Sequence, residues 1–516
     1  VAVLIATLTA PAPRVALVGA LDRRMGAISW WAHGALFVAA VAWVRRPADL
    51  RSIAHGLVVS TIGVSLVTVA QQLGWDVPAN AVNRVRPGGP FCNAYVLAAF
   101  CVLGIVVALG VALDRRPSTG WRTAAMSAAA LGTAATAASG ARGGWLGLAV
   151  AVAVLVVVGS RRAGVPTRRR VAGLAAALRV LVGVLGASGT LGRTLHVLDG
   201  TARGRIDTWF VGVDAAAERP AFGWGPEGLA QGFQRHVDDA YEQRYTRRLL
   251  PDRAHNAPLD VAGTLGLVGL AAWIGAVVAT ARGARRGSRR DDGWIGLAVA
   301  ASRIGLVGCE LSLCATFDVD ALAWILAGAL VGLGFDRPQH RGGRVAIAAV
   351  TLGVVALGAT ALAMSGAWAD RAARDASDAL ALDRPAEALT SARTALDHDP
   401  GQTMPALLLA EAAIATGDPA TIRTAIHDVD ATLERSIDDG RLVLAEGRLL
   451  DACDGRCEDV RPRVERRAAE LLERDSARSD AWRMAAELAE DRRDRATAEA
   501  ARRRVIGVAA AVMAAI

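Results

Sequence analysis

Eleven apolar stretches, each approaching the length that crosses a bilayer, constrain this chain more than any other feature in it. They run roughly over 1 to 21, 27 to 44, 52 to 73, 93 to 113, 123 to 139, 144 to 159, 171 to 191, 256 to 280, 293 to 313, 318 to 335 and 344 to 366. A spanning helix needs about 20 mostly apolar residues, and hydrocarbon forces every backbone amide to pair internally, so helices are the expected form. The fifth and sixth segments are short, and the first contains Pro11, Pro13 and Arg14. A hydrophobic content of 53% agrees with a membrane protein. The net charge of +9 does not point to nucleic acid, because the basic residues lie in short clusters between apolar runs.

Those clusters read as topology signals, and every basic residue in them is arginine. One alternating set of loops holds nineteen arginines, from Arg45 to Arg344, against five on the opposite side: Arg23, Arg24, Arg84, Arg86 and Arg142. Short cytoplasmic loops are enriched in positive charge. The bias places the N-terminus inside and, with an odd number of spans, the C-terminus outside. The polar insertion at 192 to 255 also falls outside; up to Arg253 it contains nine arginines, which its length exempts from the topology rule. No cleavable signal peptide is evident, and the opening valine suggests a start upstream.

From about Ala367 the chain changes to alanine, arginine and acidic residues with helical spacing and no apolar run of spanning length. Two short helices divided by Asp399-Pro400, with alanines at their facing positions, resemble tetratricopeptide repeats, and a plain helical bundle is the alternative. The tail, Val505 to Ile516, is too short to span. The expected fold is thus all-α: a polytopic membrane domain of about 11 transmembrane helices over 1–366, with the external loop at 192–255, and an extracytoplasmic helical-repeat domain over 367–516. Cys453 and Cys457 could bridge in an oxidising compartment. The other cysteines are small hydrophobes in or beside apolar spans.

His255, where the insertion enters a membrane helix, is placed to act as a base near neutral pH. Asn256 as cap and Pro258 in the first turn start a helix there, and a plain helix-start histidine is the competing reading. Arg142, flanked by Ala141 and Gly143 at membrane depth, needs a partner or a watery cavity. Arg203 and Arg205, ahead of Trp209, suit bidentate phosphate contacts, with headgroup binding as the alternative for each arginine. Arg303 and Glu310 share one helix face too far apart to bond directly, so each pairs across helices or lines a cavity; Asp318 begins the tenth span. Gly223 to Gly228 formally fits a dinucleotide-binding glycine pattern, but a proline interrupts it and no strand precedes it, so a tight re-entrant turn is expected. No spacing calls for a metal or cofactor.

In order along the chain, these motifs resemble the O-antigen ligase and polymerase family of bacterial polysaccharide assembly over about residues 84 to 335. The resemblance rests on Arg84 or Arg86 through Gly88, Phe91, Asn93 and Ala94; Ser139 to Gly143; Arg205 with Trp209; Pro220 through Gly223 and Gly225; His255-Asn256; Gly266 with Gly269; and Phe317-Asp318. It implies a metal-independent C-type glycosyltransferase of a bacterial cytoplasmic membrane, taking a glycan from undecaprenyl diphosphate to a carbohydrate or other hydroxyl acceptor at the outer face. Arg142 and Arg205 would then hold the diphosphate and His255 activate the acceptor. Arg84, Arg86, Arg203, Asn256 and Asp318 are read as substrate-binding. Membrane lipids are implied partners, with polysaccharide-assembly proteins as possible partners of 367–516. The chain departs from the family in one place: serine usually stands directly before the motif arginine, whereas Gly140 and Ala141 separate Ser139 from Arg142. A lipid-linked oligosaccharide flippase or other transporter, and a non-catalytic assembly scaffold, are the alternatives.

Overall fold

The computed structural model describes residues 1–20, 23–75, 86–114, 118–162, 201–245, 252–290, 293–311, 313, 316–334, 364–436, 439–474, 479–491 and 496–505, with scattered positions between 164 and 183. Of the sequence expectations, Arg84, most of the segments at 171 to 191 and 344 to 366, and nearly all of the apolar tail lie outside these residues. Among the described residues the chain is entirely helical, without strands.

The membrane part comprises α1 (Ala2–Leu8), α2 (Pro13–Val18), α3 (Ala27–Trp43), α4 (Pro47–Gln72), α5 (Ala94–Leu113), α6 (Thr119–Ser139) and α7 (Arg142–Arg162), then α8 (Thr201–Glu218), α9 (Leu229–His236) and α10 (Asp239–Tyr245) within the insertion, and α11 (Ala257–Arg290), α12 (Trp294–Glu310) and α13 (Phe317–Gly334). Among the described residues, four stretches are long and apolar enough to cross a membrane: Pro47–Gln72, Ala94–Leu113, Arg142–Arg162 and Ala257–Gly283. The first apolar segment differs from expectation. It is two short helices broken at residues 9–12, because prolines at 11 and 13 cannot continue α1 and Pro13 instead starts α2.

Helix α5 is apolar on all sides and buried on nearly all of them, enclosed by α4, α6, α7 and α12. Hydrocarbon offers no hydrophobic drive between helices, so close backbone approach through small residues holds the bundle. A Cβ on Gly147 would lie 2.5 Å from the carbonyl oxygen of Gly305, and one on Gly305 would lie 2.6 Å from that of Gly147. Helices α7 and α12 therefore touch backbone to backbone at these two glycines.

Helix α11 is interrupted at Gly266, whose φ of 66° and ψ of −172° leave the helical region. The break frees main-chain groups, and the turn at 220–225 takes them up. Trp224 and Gly225 donate N–H to the carbonyls of Gly263 and Thr264 at 2.9 Å each, while Leu267 donates to Pro220 at 2.8 Å and Val268 to Ala221 at 3.3 Å. The expected re-entrant turn is thus the plug of a broken helix, and it needs Gly223 and Gly225 at positive φ. A Cβ on Gly266 would sit 2.2 Å from the Ala221 oxygen. Gly266→Ala should therefore lower thermal stability in detergent sharply, left-handed backbone alone costing roughly 1–2 kcal/mol. Gly275→Ala, where a Cβ meets nothing within 4 Å, is the control; equal melting of the two variants would refute the account.

Beyond residue 364, helical residues 364–381 lead into α14 (Pro385–His398), α15 (Thr403–Thr416), α16 (Pro419–Leu433), α17 (Asp439–Ala452), α18 (Arg461–Arg474) and α19 (Ser479–Asp491). Each packs on the next, and α15 also packs on α17 and α17 on α19. Alanines fill the first contacts, with Ala392, Ala406, Ala410 and Ala413 sealed inside one apolar cluster. Cys453 and Cys457 are joined by a disulfide.

Candidate active site at the arginine cluster

The insertion folds around its own small core, in which Trp224, Phe233 and Leu229 are fully buried. Trp224 lies between two guanidiniums, Arg219 at 4.9 Å and Arg235 at 5.2 Å from the ring centroid, and its Nε1 donates to the Ala215 carbonyl at 2.7 Å. This core fixes α8, and α8 carries Arg205.

Ala254, just before His255, is held at both main-chain groups. Its N–H donates to Asp260 Oδ1 at 2.7 Å and its carbonyl accepts from Trp209 Nε1 at 3.0 Å. Trp209 lies one helical turn after Arg205, so the same face of α8 presents the arginine and grips the histidine loop. The preceding residues are tied as well. Arg253 Nη2 lies 2.7 Å from Glu227 Oε2, both side chains 3% exposed, and Glu227 Oε1 accepts the Met25 N–H at 2.8 Å. Asp252 accepts from Arg23 Nη2 at 2.8 Å. His255 itself takes a left-handed backbone, φ 50°, a conformation that a β-carbon-bearing residue holds only where its surroundings impose it. The next residue, Asn256, caps α11, its Oδ1 accepting the Leu259 N–H at 3.2 Å.

The His255 imidazole is held below its usual pKa, first by burial and then by the Arg23 charge, with Asp252 opposing. A lowered value keeps the ring neutral at pH 7, the form that accepts a proton.

Tyr95 marks where the arginines meet. It stands in the first turn of α5, whose cap Asn93 accepts its N–H at 2.9 Å. Arg86 lies over its ring at 4.9 Å and Arg205 at 5.4 Å. Arg142 is the third guanidinium whose charge reaches Tyr95, and Arg205 also reaches His255. Ser139 is buried in the turn before Arg142, donating to the Thr136 carbonyl at 2.7 Å and accepting the Ala141 N–H at 3.2 Å. Gly140 caps α6 at φ 61°, and Arg86 Nε donates to the Ser139 carbonyl at 3.0 Å. The displaced serine builds the turn that starts α7 at Arg142.

The structure brings Arg86, Arg142 and Arg205 to Tyr95 and Arg205 to His255, from four separate parts of the chain. Arg203 is exposed on α8. Asp318 is exposed at the start of α13, whereas Asp320, which the sequence reading passed over, lines a cavity of about 540 Å³ with Arg303, Glu310, Trp30, Val261 and Trp273. Tyr95, Glu227, Arg253 and Asp260 also escaped the sequence reading. Asp260, one turn into an apolar helix, was the visible signal, because a carboxylate there needs a purpose.

No curated protein matches the chain. Residues 127–274, which carry Arg142, Arg205 and His255, match the family model described as O-antigen ligase, and this match supports a membrane protein of the O-antigen ligase type.

Proposed function

We propose that the chain transfers a glycan from undecaprenyl diphosphate to a hydroxyl acceptor at the outer face of the bacterial cytoplasmic membrane. The observation that carries this reading is the convergence of Arg86, Arg142 and Arg205 around Tyr95, with Arg205 also reaching the half-buried His255 imidazole. Among the described residues, neither Arg142 nor Arg205 forms an ion pair with a carboxylate. Arg142 and Arg205, at membrane depth without a carboxylate partner, suit an anionic ligand, and a lipid diphosphate supplies one.

In this mechanism the acceptor oxygen attacks the anomeric carbon while the bond from that carbon to the diphosphate oxygen breaks. His255 takes the proton released by the attacking hydroxyl. Negative charge grows on the departing diphosphate, and guanidiniums already in place stabilise it without a metal. One displacement gives inversion. The cavity along α11, α12 and α13, mainly apolar but with Arg303, Glu310 and Asp320 on its wall, offers a path for the polyprenyl chain.

The outer placement of this site rests on the arginine bias and on the Cys453–Cys457 disulfide, which belongs to an oxidising compartment. The broken first segment packs against the plug, with Ala6 and Ala10 around Gly225. In this reading residues 1–20 share a face with His255, an alternative to the cytoplasmic start that an eleven-span count gives. The helices beyond 364 read as tetratricopeptide-like, since α14 and α16 both begin with proline, 34 residues apart.

Reconstitution with a lipid-diphosphate glycan and a defined acceptor tests the reading. Wild type should transfer in the presence of a chelator, and Arg205→Ala should lose about 10²–10³-fold in kcat. Undiminished transfer by Arg205→Ala, or transfer only after a divalent metal is restored, would overturn it.

A further inference from the structure

A second cavity, of about 480 Å³, opens between the insertion and the helices beyond residue 364. Its floor includes Asp252 and its walls include Arg374, Ser377, Gln402, Thr403 and Arg441. The walls are fastened to one another. Asp399, its side chain 4% exposed, pairs with Arg24 and with Arg14 at 3.9 Å. Gln402 Nε2 donates to the Gly19 carbonyl at 3.2 Å and to Asp399 at 3.0 Å, and Arg24 Nη2 donates to the Gly366 carbonyl at 3.0 Å. The turn between α14 and α15 is thereby seated on the loop that carries Arg23 and Arg24.

Those two adjacent arginines face opposite ways in function. Arg24 holds Asp399, three residues before the cleft-lining Gln402, and Arg23 holds the cleft-lining Asp252, three residues from His255. A group bound in the cleft thus borders the histidine loop from the aqueous side, while the arginine cluster meets the same loop through Arg205.

The lining selects a class of ligand. Three carboxylates and two guanidiniums occur together with the hydroxyls of Ser377 and Thr403 and the Gln402 amide, set among apolar residues that include Val15, Met404 and Leu408, with no aromatic side chain. Donors and acceptors of nearly balanced charge, set among apolar side chains, match a polyhydroxylated, uncharged chain, whose hydroxyls are polar and whose ring faces are apolar. They carry no excess of cations for a polyanion. The volume lies within the range of small-ligand sites, roughly 300–1,000 Å³.

We propose that this cleft binds the acceptor, an uncharged saccharide whose reacting hydroxyl is delivered from it to His255. The proposal rests on the transferase reading above and names its second substrate. Ser377 is exposed on the cleft wall, so Ser377→Trp fills the cleft without disturbing a core.

The test uses the full-length protein in nanodiscs, with the donor's own uncharged glycan, released from its lipid, as probe. Isothermal titration of the His255→Ala protein should show saccharide binding that His255→Ala/Ser377→Trp has lost. A hexuronic acid tetramer should not compete. In transfer assays Ser377→Trp and Arg374→Ala should raise the acceptor KM at least tenfold with kcat retained. Wild-type binding by the Ser377→Trp protein, no saccharide binding by His255→Ala, or equal competition by the hexuronate would each overturn the assignment. Saccharide binding at the cleft with no transfer by wild type would instead sink the transferase reading alone.

Discussion

His255→Ala is expected to lower glycan transfer by roughly 10²–10⁴-fold, the usual worth of a positioned general base, while the protein stays in the membrane at wild-type levels. The loop does not need the imidazole to hold its course, because Ala254 is tied by Asp260 and Trp209 and Arg253 by Glu227. Chemistry should therefore be lost without the fold. The pH profile supplies a second, independent readout. Burial and Arg23 lower the His255 pKa below its ordinary 6.5, so the catalytic neutral form predominates at pH 7 and protonation removes it only further down. Wild-type kcat/KM should be level through neutral pH and fall on the acid side of 6.5, and the residual activity of His255→Ala should lack that acid limb. An acid limb that persists in the variant would assign the titration to another group and remove His255 from the chemistry.

What the sequence disclosed about this site follows from where polar groups stand out against an apolar background. Arg142 was legible because hydrocarbon makes an unexplained arginine conspicuous, and Arg205 because the length of the insertion takes its arginines out of the topology rule. His255 was legible because it sits at a boundary, with Asn256 and Pro258 starting a helix behind it. Tyr95 was not, since one tyrosine at the start of an apolar helix carries no signal until the arginines from three other segments are folded over it. The glycine-rich turn gave only half of its meaning. Its tightness could be read locally, but its hydrogen-bonding partners are the main chain of α11 around Gly266, some forty residues on.

Topology shows the same division. Length and hydropathy identify Ala94–Leu113 as a span without help, and its burial by four other helices explains why no polar face is needed. The segment at 1 to 21 has similar composition, yet two prolines split it into helices too short to cross. Counting apolar residues overstated it because hydropathy does not register a missing N–H. The consequence reaches the far end of the chain. With residues 14–20 and 23–24 beside the insertion, Arg14 and Arg24 become the partners of Asp399.

Glu227→Ala is expected to be the most damaging single change away from the arginine cluster. Both members of the Glu227–Arg253 pair are 3% exposed, and Glu227 also accepts the Met25 N–H. Removing one partner of a buried pair leaves an uncompensated charge, at a cost of roughly 3–5 kcal/mol. Here the charge left behind is two residues from His255. The variant should melt well below wild type and transfer little glycan even where it remains folded, because the left-handed turn at His255 is imposed by its surroundings. Glu227→Leu/Arg253→Met separates the two effects. Replacing both charges with apolar groups of similar volume is often neutral or stabilising, so melting should recover toward wild type. Transfer should recover only in part, since the Met25 N–H then has no carboxylate and the outer loop carrying Arg23 loses that tie. Wild-type melting by Glu227→Ala would show that the pair is solvated in the membrane and does not brace the histidine loop.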